Sequence, residues 1–363
     1  MQTFTILGNQ WFDQTREPVL LLGDQGLSYY NDAAAELFCV VGVPLEEGGQ
    51  LPQALAHLDT GADAAGEVEL DHRRFVVSVQ KLEAGRLFQL RPIHEQAVFP
   101  NDRLPELAYR LRAPLSTLLS AVELLTQRLP ERDAKVDRYE AVVNQSYCRL
   151  LRLVDHLERA RFLTGEEAED FCPVVLDLAG LFREVGRNVD SVGACNGHTF
   201  GWTDNAGSLL VKGDGDLLFH MMYQLIANAW RSGGDVTMQL DRRGGRAVIT
   251  VSDNGRGMSS EALRDAFDPS AGRDGLAGAE DGLGLGIPIC QHIAALHGGT
   301  MVLENRPEQG VSAIVSLPVC KAAPNMEVRS PRLGQDTTGG FSSVLVELSE
   351  VLPMDRFRRE DLE

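Results

Sequence analysis

The sequence predicts a multidomain α+β protein, and three observations carry that prediction. Its 363 residues suffice for two to three domains, since single cores rarely grow beyond about 250–300 residues. The spacing of apolar residues changes along the chain: short alternating runs, then a long stretch spaced by threes and fours, then strand-like and helix-like segments in turn. Charge is uneven too. The net charge of −18 comes from 34 basic and 52 acidic residues, yet residues 98–166 hold 11 basic and 10 acidic ones. Domains are therefore expected at 1–97, 98–166 and 167–320, with 321–363 as a linker and C-terminal strand-like tail.

Composition excludes several classes. An apolar fraction of 44% is that of a globular protein rather than a disordered one. The acidic surplus would repel a phosphate backbone, so no nucleic-acid partner is expected. The six cysteines, Cys39, Cys148, Cys172, Cys195, Cys290 and Cys320, form no CxxC pair, which favours reduced thiols over a zinc site or disulfide framework. The first residues, MQTFTILGNQ, lack a basic start and a long apolar core, and no stretch approaches the roughly 18 apolar residues of a membrane span. A soluble, cytoplasmic chain is expected.

In the first segment, EPVLLLGDQGLSYYN reads as two strands around the Asp24-Gln25-Gly26 turn, followed by a helix through Ala33, Leu37 and Phe38. GEVELDHRRFVVSVQKL and RLFQLRPI continue as an antiparallel meander. This succession resembles a PAS-type sensor module; an unrelated α/β module is the alternative.

The second segment is a helical hairpin. Leu104, Ala108, Leu111, Leu115, Leu118, Val122, Leu125 and Leu129 recur at spacings of four and three. After Pro130, the positions Val136, Tyr139, Val143, Ser146, Leu150, Leu153, Leu157 and Ala160 do the same. Pro114 falls inside the first helix, where it removes a hydrogen bond and favours a kink. Two helices bury little by themselves, so the hairpin is expected to form a homodimeric four-helix bundle through residues 98–166. Packing against the chain's own domains is the alternative.

The third segment alternates: VVLDL, a helix from Ala179 to about Val192, strand-like HTFGW and LLVKGD, a helix over Asp216 to Arg231, strands near 235–241 and 246–252, a glycine-rich stretch, a helix near 287–296, and strands near 300–304 and 311–317. An α/β sandwich fits this order. In the last segment, FSSVLVELSEVL alternates as a strand that would suit an added edge or a docking element; a semi-ordered extension is the alternative.

Chemistry concentrates in the third segment. Asn228 lies near the end of a helix; Asp253-Asn254-Gly255-Arg256-Gly257-Met258 follows the strand AVITVSD; Gly282-Leu283-Gly284-Leu285-Gly286-Ile287 opens a later helix. A carboxylate at a strand end can accept from an adenine amino group, and Gly255 and Gly257 let backbone approach the base. Glycines at a helix start present N–H groups to phosphate. An amide oxygen such as that of Asn228 suits Mg²⁺. The loop between Met258 and Gly282, with Gly272, Gly275 and Gly278, has the length of a functional lid.

Taken together and in this order, these motifs resemble the ATP-binding domain shared by histidine kinases, gyrase, Hsp90 and MutL. LRDAFDP with Phe267 and the run GLGLGIPICQHIAALHGGTMVLEN are similar to the histidine-kinase branch, over residues 98–320. The resemblance implies ATP and Mg²⁺ as cofactors. Asp253 would contact adenine and Asn228 would hold the metal. Gly255, Gly257, Gly282, Gly284 and Leu285 would shape the pocket, and Arg231, in place of a usual Lys, and Arg273 of the lid would meet phosphates. Gln224 stands where the family usually has Asn.

The resemblance also exposes a loss. Ala108-Tyr109-Arg110-Leu111-Arg112-Ala113-Pro114-Leu115 is similar to the family's phosphoacceptor box, Ser-His-Glu-Leu-Arg-Thr-Pro-Leu. Tyr109 replaces the acceptor His, Arg110 the activating acid, and Ala113 the Thr associated with phosphatase activity. A phenol with a pKa near 10 needs a base that Arg110 does not supply. The expected function is a two-component signalling protein that binds ATP without ordinary autophosphorylation. Arg103, Arg110 and Arg112 on the near-neutral hairpin would dock an acidic response regulator, or the hairpin would pair with a partner kinase. The alternatives are a kinase that phosphorylates Tyr109 or His156, and an antagonist that acts without ATP.

Overall fold

The structure is a computed structural model that describes residues 12, 15–93, 104–127, 134–159, 171–193, 195, 197–268, 285–306, 309–321 and 342–358. Strands β1 (Val19–Gly23) and β2 (Gly26–Tyr30), helix α1 (Asp32–Val40) and strands β3 (Ala64–Leu70), β4 (Arg73–Leu82) and β5 (Gly85–Pro92) build the N-terminal module. Its strand order is β2-β1-β5-β4-β3. Asn31 ties the module together: its Oδ1 caps α1 by accepting from Ala34 N at 3.0 Å and also accepts from Val19 N at 3.0 Å. Every strand pair here is antiparallel, as short alternating runs joined by tight turns require.

Helices α2 (Leu104–Gln127) and α3 (Ala134–Arg159) form the hairpin. The last domain holds β6 (Val174–Asp177), α4 (Leu178–Val192), β7 (Phe200–Asp204), β8 (Leu210–Gly213), α5 (Gly215–Arg231), β9 (Val236–Arg243), β10 (Arg246–Asp253), α6 (Ser260–Asp265), α7 (Gly286–Leu296), β11 (Thr300–Asn305) and β12 (Val311–Pro318). Helix α5 is buried along nearly its whole length between the sheet and neighbouring helices. The expected elements of this domain are present within one or two residues of their predicted ends.

The first and third segments are not separate in space. Edge strands β3 and β11 pair antiparallel, with Val302 opposite Gly66, Leu303 opposite Ala65 and Glu304 opposite Ala64. This union gives a ten-stranded sheet ordered β2-β1-β5-β4-β3-β11-β12-β10-β9-β7, while β6 and β8 pair apart from it. Gly66 suits this crowded position, since a Cβ there would stand 3.1 Å from the Met301 carbonyl of β11 and 2.5 Å from Leu58 Cδ2. Asp63 reinforces the seam: its carbonyl accepts from Asn305 N at 2.9 Å and its Oδ2 from Ser260 Oγ at 3.2 Å.

The strand expected in FSSVLVELSEVL is instead a short helix, α8 (Ser343–Glu347), followed by turns and a 3₁₀ turn, Met354–Phe357. Val344, Leu345, Val346, Leu348, Val351, Leu352 and Phe357 are all buried. A segment enclosed on every side keeps no polar face, so its period cannot be read from apolar positions. It lies against α3, where Gln145 Nε2 donates to Leu352 O at 2.9 Å and Asn144 Nδ2 donates to Phe357 O at 3.0 Å.

This strap changes which face of the hairpin is inside. The buried residues of α3 include Glu140, Ala141, Asn144, Tyr147, Cys148, Leu151, Arg152, Val154 and His156; the helix packs on the strap and on α2, and it meets α5 through Arg152 and His156. The repeat read from the sequence points largely outward: Leu118 is 63% and Leu125 68% exposed, and Tyr139, Val143 and Leu150 are exposed as well. Only Ala108 and Leu115 of the α2 repeat, joined by Leu119, are buried among the residues whose exposure is described.

Candidate nucleotide site

Three elements converge on one cleft of about 280 Å³: the C-terminal end of α5, the turn after β10, and the start of α7. Asn228, Arg231, Asp253 and Gly257 all line it. The floor is apolar, built from Val251, Met258, Ile287, Leu303, Val311 and Ala313. Polar groups sit around an apolar slot, the usual arrangement for a flat heterocycle with a few fixed hydrogen bonds.

Asp253 ends β10, is 4% exposed, and is held before any ligand arrives. Its Oδ1 accepts from Gly255 N at 2.8 Å, and Ser232 Oγ lies 2.8 Å away. Gly255 has no substitute here, because a Cβ would stand 2.2 Å from Ser232 Oγ. Gly257 adopts φ +72°, a left-handed conformation that favours glycine. Arg306 Nη1 donates to the Asp253 carbonyl at 2.9 Å. The following turn is pinned by Asn305, which accepts from Met258 N at 3.1 Å and donates to Met258 O at 2.7 Å.

Leu285, buried, immediately precedes α7 and anchors its start. Gly286 brings that start against Asn228: a Cβ there would lie 3.6 Å from Asn228 Nδ2. Arg231 Nη1 lies 3.3 Å from Asn228 Oδ1, so a cation and an amide oxygen stand side by side at the cleft mouth. Arg273, Gly282, Gly284 and the expected lid around them lie outside the described residues.

His297 turns out to be structural. Its Nδ1 donates to Ile293 O at 2.7 Å and its Nε2 accepts from Asp214 N at 2.9 Å, which requires the neutral ring. Burial lowers its pKa accordingly. Asp214 in turn caps α5 by accepting from Asp216 N and Leu217 N.

A second polar cluster joins α3, α5 and the strap. Gln224 Oε1 accepts from Arg152 Nη2 at 2.9 Å; its amide nitrogen lies 2.6 Å from His156 Nε2 and 3.0 Å from Glu347 Oε2. Both amide donors and the acceptor of Gln224 are thereby engaged, and the residue serves the domain interface. His220 Nδ1 meets Glu347 Oε1 at 2.5 Å. Burial, with Arg159 and Arg152 nearby, lowers the His220 pKa. Burial alone would raise Glu347, but the hydrogen bond from His220 Nδ1 and the charges of Arg159 and Arg152 outweigh it and hold the carboxyl below the usual carboxylate range.

Two hairpin side chains named in the sequence analysis are engaged inside the chain. His156 is 6% exposed, its ring packed edge-on to His220 at 5.8 Å. Burial and the Arg152 charge push its pKa well below the usual value. The ring is enclosed here, with its Nε2 turned to the Gln224 amide rather than to solvent. Arg112 does not present itself for docking: its Nε donates to Glu158 Oε1 at 2.8 Å, its Nη2 donates to Glu158 Oε2 at 2.7 Å, and it also pairs with Asp155. Tyr109 is 75% exposed, as a phosphoacceptor position would be. Arg103 lies outside the described residues.

Sequence reasoning missed Ser232, Glu347 and Glu350. Ser232 follows α5 with nothing to mark it. The two glutamates were legible only as acidic residues within an apolar run. Among the described residues no helix is long and apolar enough to cross a membrane.

With this geometry in view, residues 213–321 match the model for histidine kinase-, DNA gyrase B- and HSP90-like ATPases. The chain is 28% identical over 264 residues to the sensor protein DivL of Caulobacter vibrioides, covering 71% of this chain and 33% of DivL. It is 28% identical over 269 residues to the sensor-like histidine kinase SenX3 of Mycolicibacterium smegmatis, covering 71% of this chain and 67% of SenX3. A solved structure of full-length ShkA in complex with AMPPNP is similar, with a TM-score of 0.50 and 25% identity over 61% of this chain and 47% of ShkA. The chain thus spans about a third of DivL and about half of ShkA.

Proposed function

We propose, because residues 213–321 match the model for histidine kinase-, DNA gyrase B- and HSP90-like ATPases, that this chain is a two-component signalling protein. In this reading it binds ATP and signals through its helical hairpin without phosphorylating itself. The observation that carries the reading is the surface around Tyr109. The acceptor position is exposed and holds a phenol beside Arg110, while His156, the one histidine of the hairpin sequence, is enclosed.

The cleft supports ATP as the ligand. Asp253 stands ready to accept from an adenine amino group, the apolar floor matches a purine face, and Arg231 at the mouth suits phosphate. Asn228 would hold Mg²⁺, which supplies charge neutralisation between phosphates when bound. No group of three or more His, Cys, Asp or Glu side chains suited to a metal occurs among the described residues. A single amide oxygen fits an ion whose other ligands are phosphates and water.

The outward repeat of Leu118, Leu125, Tyr139, Val143 and Leu150 supports a homodimer through residues 98–166, since an apolar stripe of that length on paired helices favours burial against a second copy. The strand order β2-β1-β5-β4-β3 supports a PAS-like input module. A response regulator or a partner kinase would read the bundle, and input or ATP would shift it between two arrangements.

The test is incubation of the purified protein with γ-labelled ATP, alongside nucleotide titration of wild type and Asp253→Asn. Binding without label, lost in Asp253→Asn, is expected. Acid-stable label on Tyr109 would reinstate a kinase, and no affinity in the wild type would favour an antagonist that acts without ATP.

A further inference from the structure

Glu350 occupies the cation that the nucleotide's phosphates would need. Its Oε2 lies 2.6 Å from Arg231 Nη2, and the same carboxylate pairs with Arg152 of α3. Arg231 lines the nucleotide cleft; Arg152 is buried and also donates to Gln224. Glu350 therefore bridges the mouth of the cleft and the core of the hairpin.

The position of Glu350 is fixed from both sides in sequence. Ser349 O accepts from Arg149 Nε at 3.2 Å and Leu352 O from Gln145 Nε2 at 2.9 Å, both from α3. Val346, Leu348, Val351 and Leu352 are buried. Holding the carboxylate there does not depend on its ion pairs alone.

We propose that the strap, residues 342–358, is a built-in competitor of nucleotide phosphates that couples occupancy of the cleft to the hairpin. A triphosphate at the cleft mouth and the Glu350 carboxylate are like charges claiming one guanidinium. When phosphate takes Arg231, Glu350 loses that partner and keeps Arg152, so the strap's hold is redistributed onto α3. Linkage makes the effect reciprocal: whatever loosens the strap tightens ATP, and ATP loosens the strap by the same factor. The inference rests on the ATP reading above and adds to it a regulator within the chain.

The experiment is titration of the full chain and its Glu350→Gln variant with ATP, ADP and adenosine, together with hydrogen exchange of wild-type residues 342–358 with and without ATP. Glu350→Gln should bind ATP about three- to tenfold more tightly, gain less for ADP, and leave adenosine unchanged. Exchange in the strap should rise with ATP, a readout that needs no variant to fold. Equal ATP affinities with unaltered exchange would overturn the competitor while leaving ATP binding intact. An equal gain for adenosine would also overturn it, since the effect would not be one of phosphate charge. Absence of ATP binding in both proteins would overturn the ATP reading itself and the competitor with it.

Discussion

Ser232 Oγ stands 2.8 Å from Asp253 Oδ1 and 2.8 Å from the Ala229 carbonyl, so a hydroxyl at the end of α5 helps fix the carboxylate at the end of β10. A hydroxyl carries one proton, and a carboxyl oxygen competes for it with the main-chain carbonyl. The two elements that make the cleft are thus registered to each other through the group that would read the base.

Ser232→Ala removes that restraint but leaves the Gly255 N–H on Asp253 Oδ1. Loss of one hydrogen bond of about 1 kcal/mol predicts ATP affinity roughly fivefold weaker by calorimetric titration. Asp253→Asn, which replaces an acceptor oxygen by a donor nitrogen, should reduce binding far more. Equal affinities for wild type and Ser232→Ala would show that Gly255 alone orients the carboxylate.

Stability should fall as pH drops from about 7 to 5. Burial lowers the pKa of His57, His156, His220 and His297, and burial with the Arg74 charge takes His292 to about 4. As pH falls below about 6.5 the unfolded chain takes up protons on these rings before the folded one does. The unfolded state then binds more protons, and each ring removes up to about 1.4 kcal/mol per pH unit. Asp155, pushed up to about 6 by burial, opposes this, since its folded form holds a proton that the unfolded one has lost. Asp216, raised by burial and by Asp214, acts in the same sense as Asp155, and five imidazoles outweigh these two carboxyls. Thermal melts from pH 5 to 8 should show the decline, and His292→Gln should flatten it.

How much of this was legible in the sequence depends on which atoms carry the contact. The cleft could be read because Asp253, Gly255 and Gly257 are fixed by side-chain chemistry and backbone conformation that only certain residues allow. The hairpin was found, but its buried face was not: Asn144, Gln145 and Arg152 are polar, and only the strap and Gln224 make them interior. The β3–β11 seam is joined by main-chain groups, which leave no trace in residue identity. The strap failed for a different reason, since a peptide enclosed on all sides shows neither a period of two nor of 3.6.

Tyr109→His alone should remain unlabelled by γ-labelled ATP. The imidazole would restore a nucleophile near neutral pH, but Arg110 still cannot accept its proton. Tyr109→His combined with Arg110→Glu restores both roles and should acquire acid-labile label. Label on the single variant would show that the neighbouring acid is dispensable in this chain.

Leu118→Glu with Leu125→Glu should convert the proposed dimer to monomer. Each leucine buried in a bundle contributes about 1.5–3 kcal/mol, and a dimer loses both from each copy. Sedimentation equilibrium should register a dissociation constant raised by about ten-thousandfold or more. The ATP affinity should be preserved, because neither residue lines the cleft. A monomeric wild type would instead leave the stripe to a different partner.

Gly66→Val tests whether the input module and the nucleotide domain act as one sheet. A Cβ at this position would meet Leu58 Cδ2 at 2.5 Å and the Met301 carbonyl at 3.1 Å. The leucine tip can move, but the main-chain oxygen belongs to β11, so the added volume pushes β3 off its neighbour. Valine suits a strand, and β3 should keep its pairing with β4 through Val68–Phe75 and Leu70–Arg73. The module should therefore persist while the seam opens. Calorimetry of the wild type should show one cooperative transition across both modules, and the variant two. Hydrogen exchange should rise at Ala64, Ala65 and residues 302–304. Because Asp63 also holds Asn305, and Asn305 pins Met258 beside the cleft, the variant should bind ATP several-fold more weakly. A single transition with unchanged affinity would mean that the seam transmits nothing between the two modules.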